Sequence, residues 1–232
     1  MALNEELAEA VGKIFREPWS NRDGQVVPEP EDLGLGNDAV NLEGTVLYAD
    51  MSDSTKLVDS CKPQFAAEIY KAYLTCAARI VKSEGGSITA YDGDRIMGIF
   101  IGDTKNTTAA RAALKINGAV HDIINPALTR QYPKTPYRLN HVVGVDTSSI
   151  LVARIGVRND NDLVWVGRAA NYAAKLCAIH EENTIFITGE VFDKLKDVSK
   201  YGGQNNVLMW EERQWPQMNN MRIFRSTWKW GV

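Results

Sequence analysis

Gly44-Thr-Val-Leu-Tyr-Ala49 is an apolar, β-prone run, short enough to be one buried strand, and it stops on a carboxylate, Asp50. Ser52, Asp53, Ser54 and Thr55 follow at once, and each is able to cap a helix N-terminus. An acidic residue at a strand end beside a free helix N-terminus can hold a divalent cation while backbone N–H groups face phosphate oxygens. A second carboxylate recurs in a similar setting in Tyr91-Asp-Gly-Asp94-Arg95-Ile-Met-Gly-Ile-Phe100. If Asp50 and Asp94 converge, they make a two-metal site for a nucleoside triphosphate.

The rest of the chain supplies the frame for that pair. Residues 54 to 84 read as helix, with Pro63 in the first turn of the longer part and Gly85-Gly86 ending it. Residues 87–91 and 95–101 read as two strands joined by a tight turn with its tip at Asp92-Gly93, Asp94 opening the returning strand. A helix is expected over 104–125, stopped by Pro126. Strands are expected over 137–146, 150–156 and 163–166, a third long helix from Gly167 to His180, and a strand over 184–188. A short helix over 190–195 and an edge hairpin over 207–228 complete the chain, and Trp210, Trp215, Trp228 and Trp230 are expected to cover the sheet edge or a dimer surface. The order β-α-β-β-α-β predicts an α/β (α+β) fold, a ferredoxin-like sandwich with additional strands and a helix. Residues 1–40 read as an amphipathic helix (Leu3, Leu7, Val11, Ile14 and Phe15 on one side) and a Pro- and Gly-rich connector; residues 41–232 read as the globular domain.

Bulk properties remove several classes of function. A net charge of −3 argues against a nucleic-acid partner. The three cysteines, Cys61, Cys76 and Cys177, are too far apart for a C-x-x-C metal or redox motif and read as reduced packing residues. The N-terminus lacks the basic and apolar regions of a signal peptide, and no apolar run reaches the ~20 residues of a membrane span. A cytoplasmic protein with no membrane partner is expected.

Three motifs in order carry a resemblance: Tyr-Ala-Asp50-Met51-Ser-Asp-Ser54-Thr55; then Gly85-Gly86 ahead of Tyr-Asp-Gly-Asp94; then Val166-Gly-Arg168-Ala-Ala-Asn171-Tyr-Ala-Ala-Lys175-Leu176. Over roughly residues 41–228 the chain resembles the class III nucleotidyl cyclases. The resemblance implies that Asp50 and Asp94 hold two Mn²⁺ or Mg²⁺ ions, with the Met51 carbonyl as a further ligand. Ser54 and Thr55 then lie at the triphosphate, Asn171 orients the ribose, and Lys175 stands where the family has an arginine on the transition-state phosphate. It further implies a head-to-tail homodimer in which the aspartates come from one protomer and the Asn171–Lys175 pair from the other. Arg168 is left between a phosphate contact in the partner's site and a helix-start role. Lys229 and Arg222 are candidates for holding the terminal phosphates.

The departures bear on the base. At the family's two base-reading positions, four before Asp94 and seven before Asn171, stand Ala90 and Val164, which offer no side-chain hydrogen bond to a purine edge. Tyr48, two before Asp50 and on the same strand face, and Arg95 can replace them by narrowing the pocket and donating to a pyrimidine carbonyl. The pattern is similar to the bacterial pyrimidine cyclases of the Pycsar antiphage system, which implies a UTP-to-cyclic-UMP enzyme signalling to a separate effector. CTP as substrate, a purine cyclase and a catalytically silent nucleotide-binding domain are the alternatives.

Overall fold

The computed structural model describes residues 2–157, 159–179 and 181–232. In chain order the elements are α1 (Leu3–Arg16), β1 (Ser20–Asp23), β2 (Asp38–Met51), α2 (Ser54–Ser60), α3 (Pro63–Ser83), β3 (Ser87–Asp92), β4 (Arg95–Phe100), α4 (Lys105–Ala119), α5 (Asn125–Gln131), β5 (His141–Val157), β6 (Asp160–Val166), α6 (Arg168–Cys177), β7 (Thr184–Thr188), α7 (Gly189–Asp193), α8 (Asp197–Lys200), β8 (Tyr201–Gly202), β9 (Val207–Leu208), β10 (Glu211–Trp215) and β11 (Met221–Ser226). The main sheet runs β10-β11-β7-β5-β2-β4-β3, with β1 added to β2 and β6 to β5. Its segment β5-β2-β4-β3 is antiparallel throughout, which is the ferredoxin-like arrangement expected from the element order.

Strand alternation divides the core into two. Leu47, Ala49 and Met51 of β2 face α3 and α4 and pack with Tyr73, Ile80, Phe100 and Ile116. Val40, Leu42 and Val46 point the other way and pack with Met97, Ile150, Val152 and the alanines of α6 (Ala169, Ala170 and Ala173). Leu33, from the connector, is 2% exposed in this second core, so the segment before residue 41 is built into the sheet as well as leading to it. By contrast α1 buries no residue; Phe15 is 84% exposed, and the helix is tethered by Asn37 Nδ2, which donates to the carbonyls of Ile14 and Glu17.

Four expectations need correction. The strands placed at 137–146 and 150–156 are one strand, β5, because Thr147, Ser148 and Ser149 stay in register with Thr45, Gly44 and Glu43 of β2. Pro126 does not stop its helix: a π turn over Val120–Ile124 shifts the register, and the proline falls in the first turn of α5, where its missing N–H costs no ladder bond. The hairpin tip is Gly93-Asp94 rather than Asp92-Gly93, with Asp92 paired to Arg95 and Gly93 at φ 61°. Asp94 is therefore a turn residue. The C-terminal tryptophans do not gather at one edge: Trp210 is buried with its indole donating to Ser199 O, Trp215 packs on Tyr172, and Trp228 and Trp230 close the α3–α4 core. The expected end of the third long helix at His180 lies outside the described residues; α6 is helical to Cys177.

Beneath α3 and α4 one buried polar chain is fully satisfied. Asn117 Nδ2 donates to Thr227 O and Trp228 O, and its Oδ1 faces His141 Nε2 at 3.0 Å; His141 Nδ1 is 3.3 Å from the Tyr73 hydroxyl. Burial lowers His141 to about 3, so it is neutral, with Nε2–H donating to Asn117 and Nδ1 accepting from Tyr73. The same stretch of α4 meets the C-terminus so closely that a Cβ on Gly118 would sit 2.0 Å from Trp230 O. Gly118→Ala is expected to cost about 1–3 kcal/mol as an overpacked core. That is a melting-temperature fall of roughly 3–10 °C for a chain of this size, measurable by calorimetry.

Candidate active site

Cross-strand register puts the residues of interest on one face of the sheet. Asp50 lies opposite Val142 and Arg95, and Tyr48 opposite Gly144 and Met97, with Ala90 beyond Met97. This is the face covered by α6. It can lie so close because Gly144 has no side chain: a Cβ there would be 2.1 Å from Ala173 O and 2.8 Å from Leu176 Cβ. At the far end of the helix Cys177 Sγ donates to Tyr48 O at 3.3 Å. Burial pushes its thiol well up, so Cys177 is packing, as expected.

Asp50 closes β2 over a cleft of about 340 Å³ lined also by Met51, Ser52, Asp53, Val142, Cys177, Glu181 and Glu182. Its carboxyl is pushed up to about 6, first by burial and next by the charge of Asp94, with Arg95 opposing. The two carboxylates thus feel each other across the hairpin turn. Neither makes an ion pair among the described residues, although the Met51 backbone N–H lies within hydrogen-bonding reach of the Asp50 carboxylate. Two partly buried carboxylates without an ion-pair partner among the described residues, beside a strand-end carbonyl, are the donor chemistry of a hard divalent cation. The described residues hold no cluster of three or more His, Cys, Asp or Glu, so any further ligands would be backbone, water or substrate.

The expected side-chain cap of the following helix is not formed. α2 starts at Ser54, and the preceding Asp53 has left-handed backbone (φ 57°) and makes no side-chain cap bond. The first N–H groups of α2, those of Ser54 and Thr55 included, are left without a side-chain acceptor. Next to the cleft, the Arg95 guanidinium lies over the Tyr48 ring at 5.2 Å and donates to Asp92 at 2.6 Å, while its Nε is buried with no partner. Tyr48 and Arg95 are therefore brought together, with an unused donor between them.

The α6 residues sit apart from this group. Asn171 and Lys175 are both exposed; Asn171 Nδ2 donates only to Gly167 O at 3.4 Å. Lys175 lines a neighbouring cavity of about 620 Å³ with Trp215, Met218 and Arg213. The two cavities share Ala178, Ile179 and Glu181, but neither holds both Asp50 and Lys175. Lys175 makes no ion pair among the described residues, whereas Arg168 is bound through Nε and Nη2 by Asp146, Thr147 O and Glu190. Arg168 opens α6, and within the chain its Nε and Nη2 are held by these partners. Arg222 pairs with Asp193 and Lys229 with Asp122, and neither lines the Asp50 cleft. Asp146, wholly buried under α6, was not singled out from the sequence. The signal was there: a carboxylate inside an apolar strand run needs a buried partner.

No family model matches the chain. It is 52% identical over 234 residues to a uridylate cyclase of Burkholderia cepacia and 49% identical over 233 residues to a uridylate cyclase of Xanthomonas perforans. Each match covers 100% of both chains. Among solved structures, that of a guanylyl cyclase superposes with a TM-score of 0.67 at 17% identity, covering 80% of this chain and 91% of the other. No helix among the described residues is long and apolar enough to cross a membrane.

The Asp50 shift gives a pH-dependent prediction. Its folded-state value, about 6, lies above the unfolded ~3.9. Without metal, ionising Asp50 therefore costs stability; the cost is absent below about pH 4 and complete above about pH 6. In chelator at pH 7.5, Asp50→Asn is expected to stabilise the chain by about 1 kcal/mol, after discounting for partial solvent screening. At pH 4 the variant and the parent should melt together. Equal melting at both pH values would show that the carboxyl is not strained.

Proposed function

The chain belongs to the uridylate cyclase family of nucleotidyl cyclases, and from that membership we propose that it converts UTP to 3′,5′-cyclic UMP and pyrophosphate at sites shared by two copies. The observation that carries the substrate assignment is the cross-strand row Ala90–Met97–Tyr48 beside Asp50, with Arg95 stacked on Tyr48 and its Nε–H without a partner among the described residues. A purine edge finds no side-chain reader at Ala90 or Val164. A uracil carbonyl can accept from Arg95, and the Tyr48 ring limits the depth of the pocket to one small ring.

Asp50, Asp94 and the Met51 carbonyl would hold two Mn²⁺ or Mg²⁺ ions. When bound, these supply charge neutralisation at the triphosphate and lower the pKa of the attacking hydroxyl. The uncapped first turn of α2, with Ser54 and Thr55, presents N–H donors to phosphate oxygens. Asn171 holds the ribose so that its 3′-oxygen is in line with the α-phosphorus. A bond forms between those atoms as the bond to the bridging α–β oxygen breaks, pyrophosphate leaves and the hydroxyl proton passes to solvent. Lys175, which pairs with no carboxylate among the described residues, supplies positive charge to the equatorial oxygens as negative charge accumulates. Because Asn171 and Lys175 face outward on α6 while the aspartates close a different cleft, a head-to-tail homodimer best joins the two halves. The product is a cytoplasmic second messenger of antiphage defence read by a separate effector, as in the Pycsar systems that the motifs resemble; neither nucleic acid nor membrane takes part.

Offered Mn²⁺ and the four NTPs separately, the protein should yield cyclic UMP as the dominant product by mass spectrometry, and Asp94→Ala should yield none while melting as the parent does. Cyclic AMP alone, or product from Asp94→Ala, would refute the assignment. A mixing experiment tests the shared site. Asp94→Ala and Lys175→Ala chains, each inactive alone, should recover up to about a quarter of parental turnover once exchanged, because half of the randomly paired dimers then hold one intact site. No recovery would mean that both halves act within one chain.

A further inference from the structure

Along the face of β5 that carries α6, the residues Val142, Gly144, Asp146 and Ser148 meet the helix in reverse order. Cys177 reaches the Val142 carbonyl, Ala173 rests on Gly144, Arg168 bonds Asp146, and the Ala169 N–H donates to Ser148 Oγ at 3.0 Å. The strongest of these anchors is Asp146. Its side chain is 0% exposed and accepts from Arg168 Nε at 3.1 Å and from Thr188 Oγ1 at 2.6 Å. Arg168 completes its fork by donating to Thr147 O at 2.6 Å and pairing with Glu190, which Lys194 holds in turn at 2.8 Å. A carboxylate so buried cannot give up its partner without leaving an uncompensated charge, so the guanidinium is fixed.

What the fixed guanidinium touches next is the ring of Tyr172, 5.7 Å away. The Lys175 ammonium lies 6.0 Å from the same ring and 4.0 Å from Met218 Sδ. Trp215 braces the ring edge-on at 5.9 Å. Arg168, Tyr172 and Lys175 fall at i, i+4 and i+7, on one side of α6. Lysine is a flexible point charge with no planar fork to orient it, so a cation at this position needs an external guide.

We propose that Asp146, Arg168 and Tyr172 are positioning residues that hold Lys175 in its reactive placement, the buried carboxylate fixing the guanidinium and the guanidinium fixing the ring. The inference rests on the reading of Lys175 as the cation that acts on the transferred phosphate. It assigns Arg168 a part in catalysis without contact with substrate.

The test is a double-mutant cycle with Lys175→Arg, since an arginine brings its own planar fork and has less need of the guide. Tyr172→Leu keeps apolar volume against Trp215. It should lower kcat about ten- to a hundredfold with KM for UTP within about twofold, the pattern of a misplaced group acting in the transition state. Arg168→Gln should do the same where it folds. In the Lys175→Arg background the Tyr172→Leu loss should shrink to under about threefold, which a general loosening of α6 would not produce. A Tyr172→Leu chain with parental kcat, or a loss undiminished when Lys175→Arg is also present, would overturn the proposal. Lys175→Ala measured in parallel separates the two levels: parental turnover there would instead refute the underlying role of Lys175.

Discussion

The pairing of β2 with β5 is the constraint on which the molecule turns. The two strands run antiparallel in unbroken register from Ala39 opposite Ala153 to Met51 opposite His141. Because side chains alternate strictly, that one register decides which face receives Asp50 and Tyr48, and it sets Gly144 beside Tyr48 and Asp146 beside Val46. A slip of one residue would turn Asp50 into the α3–α4 core and turn Leu47 outward. The gap over Gly144 then fixes how closely α6 approaches, and the same strand fixes the helix at both ends.

The distribution of charge follows from this frame. Most charged groups that the fold buries are matched. Asp146 has Arg168 and Thr188, and Glu84, nearly enclosed, has Arg111 and Lys115 at 3.1 and 2.9 Å. Arg225 on β11 is shared by Glu181 and Glu211. Against that background the half-buried Asp50 and Asp94 make no ion pair among the described residues, Asp50 having only the nearby charge of Arg95 to offset it. A folded chain keeps uncommitted charges close to a cleft at some cost, and a triphosphate with its cations is the partner that would offset it.

Much of this was legible because local patterns are short-ranged. The apolar run before Asp50 and the helix stop at Gly85-Gly86 could be read residue by residue, and the element order led to the ferredoxin-like sheet. The errors arose where a partner strand or helix overrode a local preference. Ser148 and Ser149 look like a turn, yet β2 supplies their register. Pro126 looks like a stop, yet a π turn accommodates it. The hairpin tip moved by one residue because Gly93, with its positive φ, takes the first central position, which places Asp94 in the turn rather than in the returning strand.

The amino-acid sequence alone determined the fold and the family resemblance, since periodicity and motif order are properties of neighbouring residues. Only the tertiary structure decided which charges are spent and which are free. From the sequence Arg168 and Lys175 were both cations on one helix; the buried Asp146 consumes the first and leaves the second. That choice depends on a carboxylate 22 residues before Arg168 being carried beneath α6 by its strand. No local pattern reports the desolvation that makes such a pairing obligatory.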